Sequence, residues 1–354
     1  MTSTRMTLAA VAEHAGVSVA TASRGLRGRG EMSAATRARI VRSAAELGYR
    51  AGQESRGRPR SGTARTFDLV LGRFHDPYTA EITAGARAAA AAHGYDLTLT
   101  ADREDPDDDW MPRILSRGSA GVIVGLRIPT ASQIEALRRA DIPLVLMEPP
   151  SESPQGLPSV RTTDREGGAA AAAHLVERGA ERFVSIGGTP SYRFGRARID
   201  GFREVLARAA PEASRVHVSA DWTAWGARRA CSRGLEEVAA QGGSGLIGVF
   251  ACNDEMAAGA YRAVADAGLS IPRHVLVVGF DDVRGARWLH PPLTTLRQPI
   301  GEMAAAAVGI LVRAVGGEAV EDESVVMPTE LVARGSTAAA GIAKGAATGA
   351  VSGR

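Results

Sequence analysis

TLAAVAEHAGVSVATASRGL, residues 7–26, decides how the start of this chain folds. Thr7 can accept a hydrogen bond from a free amide of a helix's first turn, and Leu8, Val11 and Ala12 share one helical face. Gly16 ends that helix, since glycine reaches the left-handed region without a Cβ clash. Two residues on, Ser18 can cap a second helix, VATASRGL, with Val19, Ala22 and Leu26 roughly at helical spacing. Further out, Ser33 can cap AATRARIVRSAAELGY, where Ile40, Ala44 and Leu47 form a stripe and Gly48 a stop. Two short helices joined through a glycine turn and covered by a third describe a small all-α helix-turn-helix unit. The second helix of such a unit enters the major groove of DNA.

Charge points the same way. The chain has 354 residues and a formal net charge of +3 at pH 7. Residues 1–65 hold twelve Arg against Glu13, Glu31, Glu46 and Glu54, a balance of +8, which leaves −5 for the other 289. A basic head on an acidic body means that the head meets a polyanion and the body does not. Lys344 is the only lysine, so the choice of Arg over Lys reflects a compositional bias and carries no functional information. No apolar run approaches membrane-spanning length and Met1–Arg5 opens no signal-peptide pattern, so a cytoplasmic chain with no membrane partner is expected. Cys231 and Cys252 form no ligand cluster and the seven histidines are scattered, so neither a metal nor a cofactor is expected.

From Arg65 onward strands alternate with helices. TFDLVLG, YDLTLT, AGVIVG, IPLVLME, RFVSIGG, RVHVS, LIGVFAC and VLVVGF read as short buried strands, with helical stretches such as TAEITAGARAAAAAHG and DEMAAGAYRAVADAG between them. This is parallel α/β architecture, and its length suits two lobes. Ligands in such lobes sit beyond the carboxyl ends of the strands. The expected organisation is a head at 1–50, a basic hinge at 51–65, a two-lobed body at 66–336 and a disordered tail at 337–354.

The head resembles the DNA-binding domain of lactose-repressor-type (LacI/GalR) regulators, whose pattern TxxxVAxxAGVSxxTVSRxLN followed by VSxxTRxRVxxAxxELGY it matches almost without gaps. The resemblance implies that Val19 and Ala20 take the base-reading positions while Thr21, Ser23 and Arg24 anchor the recognition helix. Arg24 could reach a guanine edge, whereas Val19 and Ala20 offer apolar contact, for instance to a thymine methyl. Ala22 and Gly25 replace larger apolar residues of the pattern and should thin the packing beneath the helix.

In that family the next segment forms a hinge helix with a leucine wedge in the minor groove. Here Arg56 retains the family's arginine, but Arg58 takes the wedge position between Gly57 and Pro59, which oppose a helix. The sequence RGRP resembles instead the core of an AT-hook. Two readings stand: arginines lying in a narrow A·T minor groove, or a basic linker making loose phosphate contacts.

The resemblance continues through HDPYTAEITAG, PSVRTTDREGGAAAAAHLVERG, RIDGF, ACNDEMAAGAYRAV and PPLTTLRQPIGEMAAAA, and implies a body similar to periplasmic sugar-binding proteins. Carried over by position, the effector-binding candidates are Asp164, Arg198, Trp222, Asn253 and Asp281, with Phe74 and Tyr78 as further candidates. Arg198 has forked donors, Asp281 can accept from paired hydroxyls, and Asn253 offers a donor with an acceptor. Trp222 could stack on a sugar face or pack in the core, and Asp281 could instead cap the helix after VVGF.

An enzyme is the first rival, but GxSxG, GxGxxG and P-loop patterns are missing from the expected places. The expectation is a ligand-controlled regulator bound as a homodimer to double-stranded operator DNA. A small sugar-like inducer is favoured, with a corepressor such as a nucleobase as the alternative.

Overall fold

The computed structural model describes residues 8–26, 32–47, 65–102, 109–154 and 156–338. Thr7, Gly48, Arg56, Arg58 and the rest of the hinge to Ala64 lie outside the described residues, as does the chain from 339 onward.

The head contains α1 (Leu8–His14), α2 (Val19–Leu26) and α3 (Ala34–Glu46). Ser18 Oγ accepts from the Thr21 amide and Ser33 Oγ from the Thr36 amide, each at 3.1 Å, so two helix starts have the side-chain acceptors their free amides need. Gly16 turns the chain at φ 61°. Ala12, Ala15, Ala22 and Ile40 form the apolar centre, and Arg39 Nε donates to the Ala15 carbonyl at 3.0 Å to fasten α3 to the turn. The packing under α2 is not thinned at Gly25. Ile40 Cδ1 reaches to 2.7 Å from where a Cβ on Gly25 would stand, so the long side chain and the missing one are complementary.

The body begins with β1 (Thr66–Leu71), α4 (Pro77–Ala92), β2 (Asp96–Ala101), α5 (Met111–Arg117), β3 (Gly121–Gly125), α6 (Ala131–Arg139), β4 (Leu144–Met147) and β5 (Ser159–Thr162). It continues through α7 (Asp164–Glu177), β6 (Arg182–Gly187), α8 (Arg193–Ala209), β7 (Ser214–Ser219), α9 (Ala224–Ala240), β8 (Ile247–Ala251) and α10 (Asp254–Asp266). Next come β9 (Val275–Asp281), a 3-10 turn at Arg284–Arg287, β10 (Thr294–Arg297), α11 (Ile300–Val315), β11 (Ser324–Met327) and β12 (Glu330–Val332).

These strands form two six-stranded sheets, ordered β11-β5-β4-β3-β1-β2 in lobe 1 and β12-β10-β9-β8-β6-β7 in lobe 2. Every strand pairing is parallel except β10 with β12. Helices cover both faces of such sheets, which is why β3, β4, β8 and β9 are apolar along their whole length apart from glycines and the terminal Asp281. Each lobe has its own apolar core, one around Phe67, Leu69, Ile82 and Met303, the other around Phe183, Phe202, Phe250 and Phe280. Four short strands, β5, β10, β11 and β12, were not among those expected. Their sequences SVRT, TTLR, SVVM and ELV lack a buried apolar run, and the pairing of their backbones alone makes them strands.

The chain crosses between lobes three times, at 162–164, 297–300 and 327–330. The first and third crossings are bonded together: the Thr329 amide donates to Thr163 Oγ1 at 2.9 Å, and Thr162 Oγ1 to the Met327 carbonyl at 2.9 Å. Within lobe 2, α7 and α8 touch backbone to backbone. A Cβ on Gly168 would overlap the Arg198 carbonyl and one on Gly201 the Arg165 carbonyl, which explains the glycines of REGGAA and RIDGF.

The ordered body runs past the expected boundary at 336. Ser336 and Thr337 are buried, with Ser336 Oγ donating to the Val277 carbonyl at 2.6 Å and Thr337 Oγ1 lying 2.7 Å from His174 Nε2. Burial lowers the His174 pKa below its usual 6.5, and the neighbouring Arg178 lowers it further.

Candidate functional site

The carboxyl ends of both sheets face a cleft of about 540 Å³. Lobe 1 contributes Arg73, Asp76 and Tyr78 after β1, Asp102 after β2, Arg127 after β3 and Glu148 after β4. Lobe 2 contributes Tyr192, Phe194 and Arg198 around the start of α8, Trp222 after β7, Asn253 and Glu255 after β8, and Asp281 at the end of β9. Parallel strands point their carboxyl ends the same way, so a crevice there collects one loop per strand. Seven non-glycine residues have positive φ among the described residues, and Leu126, Glu148, Trp222 and Asp281 of these line the cleft. Backbone strain of this kind concentrates where a side chain must be held for a purpose.

Arg198 is the electrostatic centre. Its side chain is 4% exposed; Nε donates to Asp164 Oδ1 at 2.9 Å, Nη1 to the Cys252 carbonyl at 2.6 Å, and Nη1 lies 3.6 Å from Asp281 Oδ1. The guanidinium also sits over the Phe280 ring at 3.7 Å. Paired donors and a ring face fix the fork's direction. Asp281 Oδ1 accepts from Gln298 Nε2 at 2.6 Å. Burial pushes the Asp281 carboxyl up to about 7, against the opposing pull of Arg198.

A second, half-buried arginine joins the lobes. Arg193 donates through Nη1 to Asp164 Oδ2 at 3.2 Å and through Nη2 to Glu148 Oε2 at 3.3 Å, while its amide donates to the Pro150 carbonyl at 2.6 Å. Glu148, 1% exposed, also accepts from the Thr162 amide at 2.6 Å. Burial first, and the charge of Asp164 second, push its carboxyl up to about 8. Behind the site, Asp254 accepts from Thr295 Oγ1 at 2.6 Å and from the Val283 amide at 2.9 Å, fixing the loop that follows Asp281.

Aromatic rings form the remaining wall. Trp222, at φ 69°, lies edge-on to Tyr192 with ring centres 6.0 Å apart and tilted against Phe194 at 5.2 Å. It has this position because Gly188 and Gly195 leave room: a Cβ on Gly188 would overlap the indole. Trp222 Nε1 and the Tyr78 hydroxyl are buried without a hydrogen-bond partner among the described residues. Burial raises the Tyr78 pKa well above 10, so the hydroxyl keeps its proton and remains a donor.

Of the residues singled out from sequence, Tyr78, Arg198, Trp222, Asn253 and Asp281 line the cleft. Asp164 sits behind Arg198, where it holds both arginines in place. Phe74 packs against the lobe 1 core and is not part of the lining. Asn253 spends its polar atoms on the scaffold: Oδ1 caps α10 by accepting from the Met256 amide at 2.7 Å, and Nδ2 donates to the Trp222 carbonyl at 3.3 Å. Asp281 caps no helix, since its carboxylate turns to Gln298 and Arg198. Glu148, Arg193, Tyr192 and Phe194 were missed. Glu148 had a signal in the acid that ends the apolar run LVLME; Arg193 had none in so arginine-rich a chain.

In the head, Val19 is 48% exposed at the start of α2 and Arg24 is exposed near its end, while Thr21 and Ser23 are half-buried. Ala20 lies on the same helix.

Residues 7–51 match the model of bacterial regulatory proteins of the lacI family, and residues 172–337 that of the periplasmic binding protein-like domain. The HTH-type transcriptional regulator MalR of Streptomyces coelicolor is 31% identical over 345 residues, covering 94% of this chain and 97% of the relative. The chain belongs to the lacI family. A further HTH-type transcriptional regulator, from the aml 5′ region of Streptomyces limosus, is 32% identical over 94% of both chains. The solved complex of the regulator CelR with cellobiose is 28% identical, with a TM-score of 0.68 over 94% of this lacI-family chain and all of the other. The protein is therefore a transcriptional regulator with a helix-turn-helix head and a two-lobed α/β body of parallel-rich sheets, and its family members are regulators rather than enzymes. Among the described residues no helix is long and apolar enough to cross a membrane.

Proposed function

We propose that this regulator is a homodimeric repressor that holds double-stranded operator DNA and releases it when a small sugar enters the cleft. The observation that carries this reading is the pairing of Arg198 and Asp281 beside Trp222. A guanidinium fork, a carboxylate and an aromatic face together suit the vicinal hydroxyls and the apolar face of a sugar ring. Trp222 Nε1 and the Tyr78 hydroxyl add two donors whose partners would be sugar oxygens. The CelR–cellobiose complex is consistent with a sugar.

A single recognition helix covers few base pairs, so two heads on a pseudo-palindrome are expected. Val19, Ala20 and Arg24 would read bases, and Thr21 and Ser23, with the capping Ser18 and Ser33, would set the helix against the phosphates. Thr7, Arg56 and Arg58 belong to the same interface on sequence grounds. Sugar shifts the protein toward one lobe arrangement only insofar as it binds that arrangement more tightly. The Arg193–Glu148 contact, which spans both lobes, is the natural element to differ between arrangements.

The test is selection of binding sites from random duplex DNA, followed by titration of the selected operator complex with sugars. A pseudo-palindromic site released by a sugar is the expected result. A site without two-fold symmetry, or a complex indifferent to every sugar, would refute the proposal.

A further inference from the structure

The cleft does not end at Tyr192. A second compartment, also about 540 Å³, shares Asp102, Leu126, Arg127 and Tyr192 with the first and extends toward Trp110, Ile128 and Pro150. Its walls mix apolar surface with the hydroxyls of Ser151 and Ser191 at the rim, the composition that suits a ring with one apolar face and several hydroxyls. Tyr192 belongs to both compartments. Its ring stacks on Phe194 at 5.2 Å and meets Trp222 edge-on, so aromatic surface runs unbroken from the deep compartment to the outer one.

Charge narrows the ligand. Each arginine lining the two compartments already lies within 4 Å of a carboxylate: Arg73 and Asp76 at 3.9 Å, Arg127 and Asp102 at 3.0 Å, Arg198 and Asp164 at 2.9 Å. Glu255 and Asp281 add further acid to the walls. Recognition of a phosphate or a sugar acid needs surplus cation, and the described lining residues supply none. Hydroxyls, by contrast, can donate to these carboxylates and accept from the guanidinium forks.

We infer that the effector is a neutral saccharide of at least two linked rings, one held between Trp222 and the Arg198–Asp281 pair, the next lying beyond Tyr192 in the outer compartment. This rests on the sugar reading above and adds its size and charge. A monosaccharide fills only the deep compartment and forfeits every contact of the outer one.

The experiment is isothermal titration of the full-length protein with neutral disaccharides (maltose, cellobiose, trehalose, lactose, melibiose, sucrose), their constituent monosaccharides, and glucose 6-phosphate. At least one disaccharide should bind about tenfold or more tightly than either of its units, a difference of about 1.4 kcal/mol. Ser191→Trp and Ser151→Trp, made at two exposed rim positions, fill the outer compartment and should bring that preference down toward unity. A disaccharide that binds no better than its units, a preference that survives both tryptophans, or glucose 6-phosphate as the tightest ligand overturns the inference while leaving a sugar effector standing. If no saccharide of either size binds, the sugar reading falls too.

Discussion

Arg198→Met separates the two roles that Arg198 combines. Methionine keeps an apolar stem over Phe280 but removes the cation that neutralises Asp164 and faces Asp281, both almost fully buried. Breaking a buried pair from one side costs about 3–5 kcal/mol, because the remaining charge has lost its partner. One kcal/mol moves the melting temperature of a large domain by roughly 2–4 °C, so the body should melt about 6–20 °C lower. Adding Asp164→Asn removes the stranded charge and should restore at least half of the loss, although Arg193 then keeps only Glu148 as its carboxylate partner. Melting followed by circular dichroism on wild type, both single variants and the double variant completes the cycle. If Arg198→Met melts with wild type, or the double variant loses the sum of the single losses, the buried network is not what holds this site together.

Gly188→Ala should weaken sugar binding at least about fivefold, since the overpacking it causes, about 1–3 kcal/mol, falls on Trp222; wild-type affinity by titration would remove Trp222 from the site. His174 has a lowered pKa when folded, so its contribution is complete above its unfolded pKa of about 6.5 and fades as pH falls. Urea unfolding across pH 5–8 should accordingly show wild type losing stability on acidification faster than His174→Gln, and parallel curves would refute this. Arg24→Ala should cost about 1–3 kcal/mol of operator binding and relax preference at one base pair per half-site; selection of the same site by the variant would sink that role. Arg58→Ala should make the salt dependence of operator binding shallower by about one counterion, and an unchanged slope would mean that Arg58 touches no phosphate.

The head was legible because its signals are local. Ser18, Ser33 and Gly16 act on amides within three residues of themselves, and Ala22 and Ile40 mark their helices' inner faces without reference to the rest of the chain. The central strands were legible as apolar runs. The strands β10 and β12 were not, because TTLR and ELV become strands only by pairing with each other and with β9. The same division runs through the site. Arg198 and Asp281 were placed through the family resemblance, whereas Arg193 and Glu148 matter through a contact made across 45 positions and between lobes. Phe74 shows the converse error: position after a strand brings a residue near a crevice but does not say which way its side chain turns.

The threefold crossing of the chain also fixes the order in which the lobes can be finished during synthesis. Lobe 1 starts first, yet its core includes Met303, Ala304, Ala307, Val308 and Leu311 of α11, and its edge strand β11 comes later still. Lobe 2 takes β6 through β10 from one unbroken stretch and lacks only β12 and the 335–338 turn. Since domains otherwise tend to fold from the amino terminus as they emerge, this arrangement reverses the usual sequence. The half made first must wait, with the apolar faces of β1, β3 and β4 uncovered, until nearly the whole polypeptide has left the ribosome. Truncations between residues 166 and 300 would therefore release a lobe 1 that cannot close.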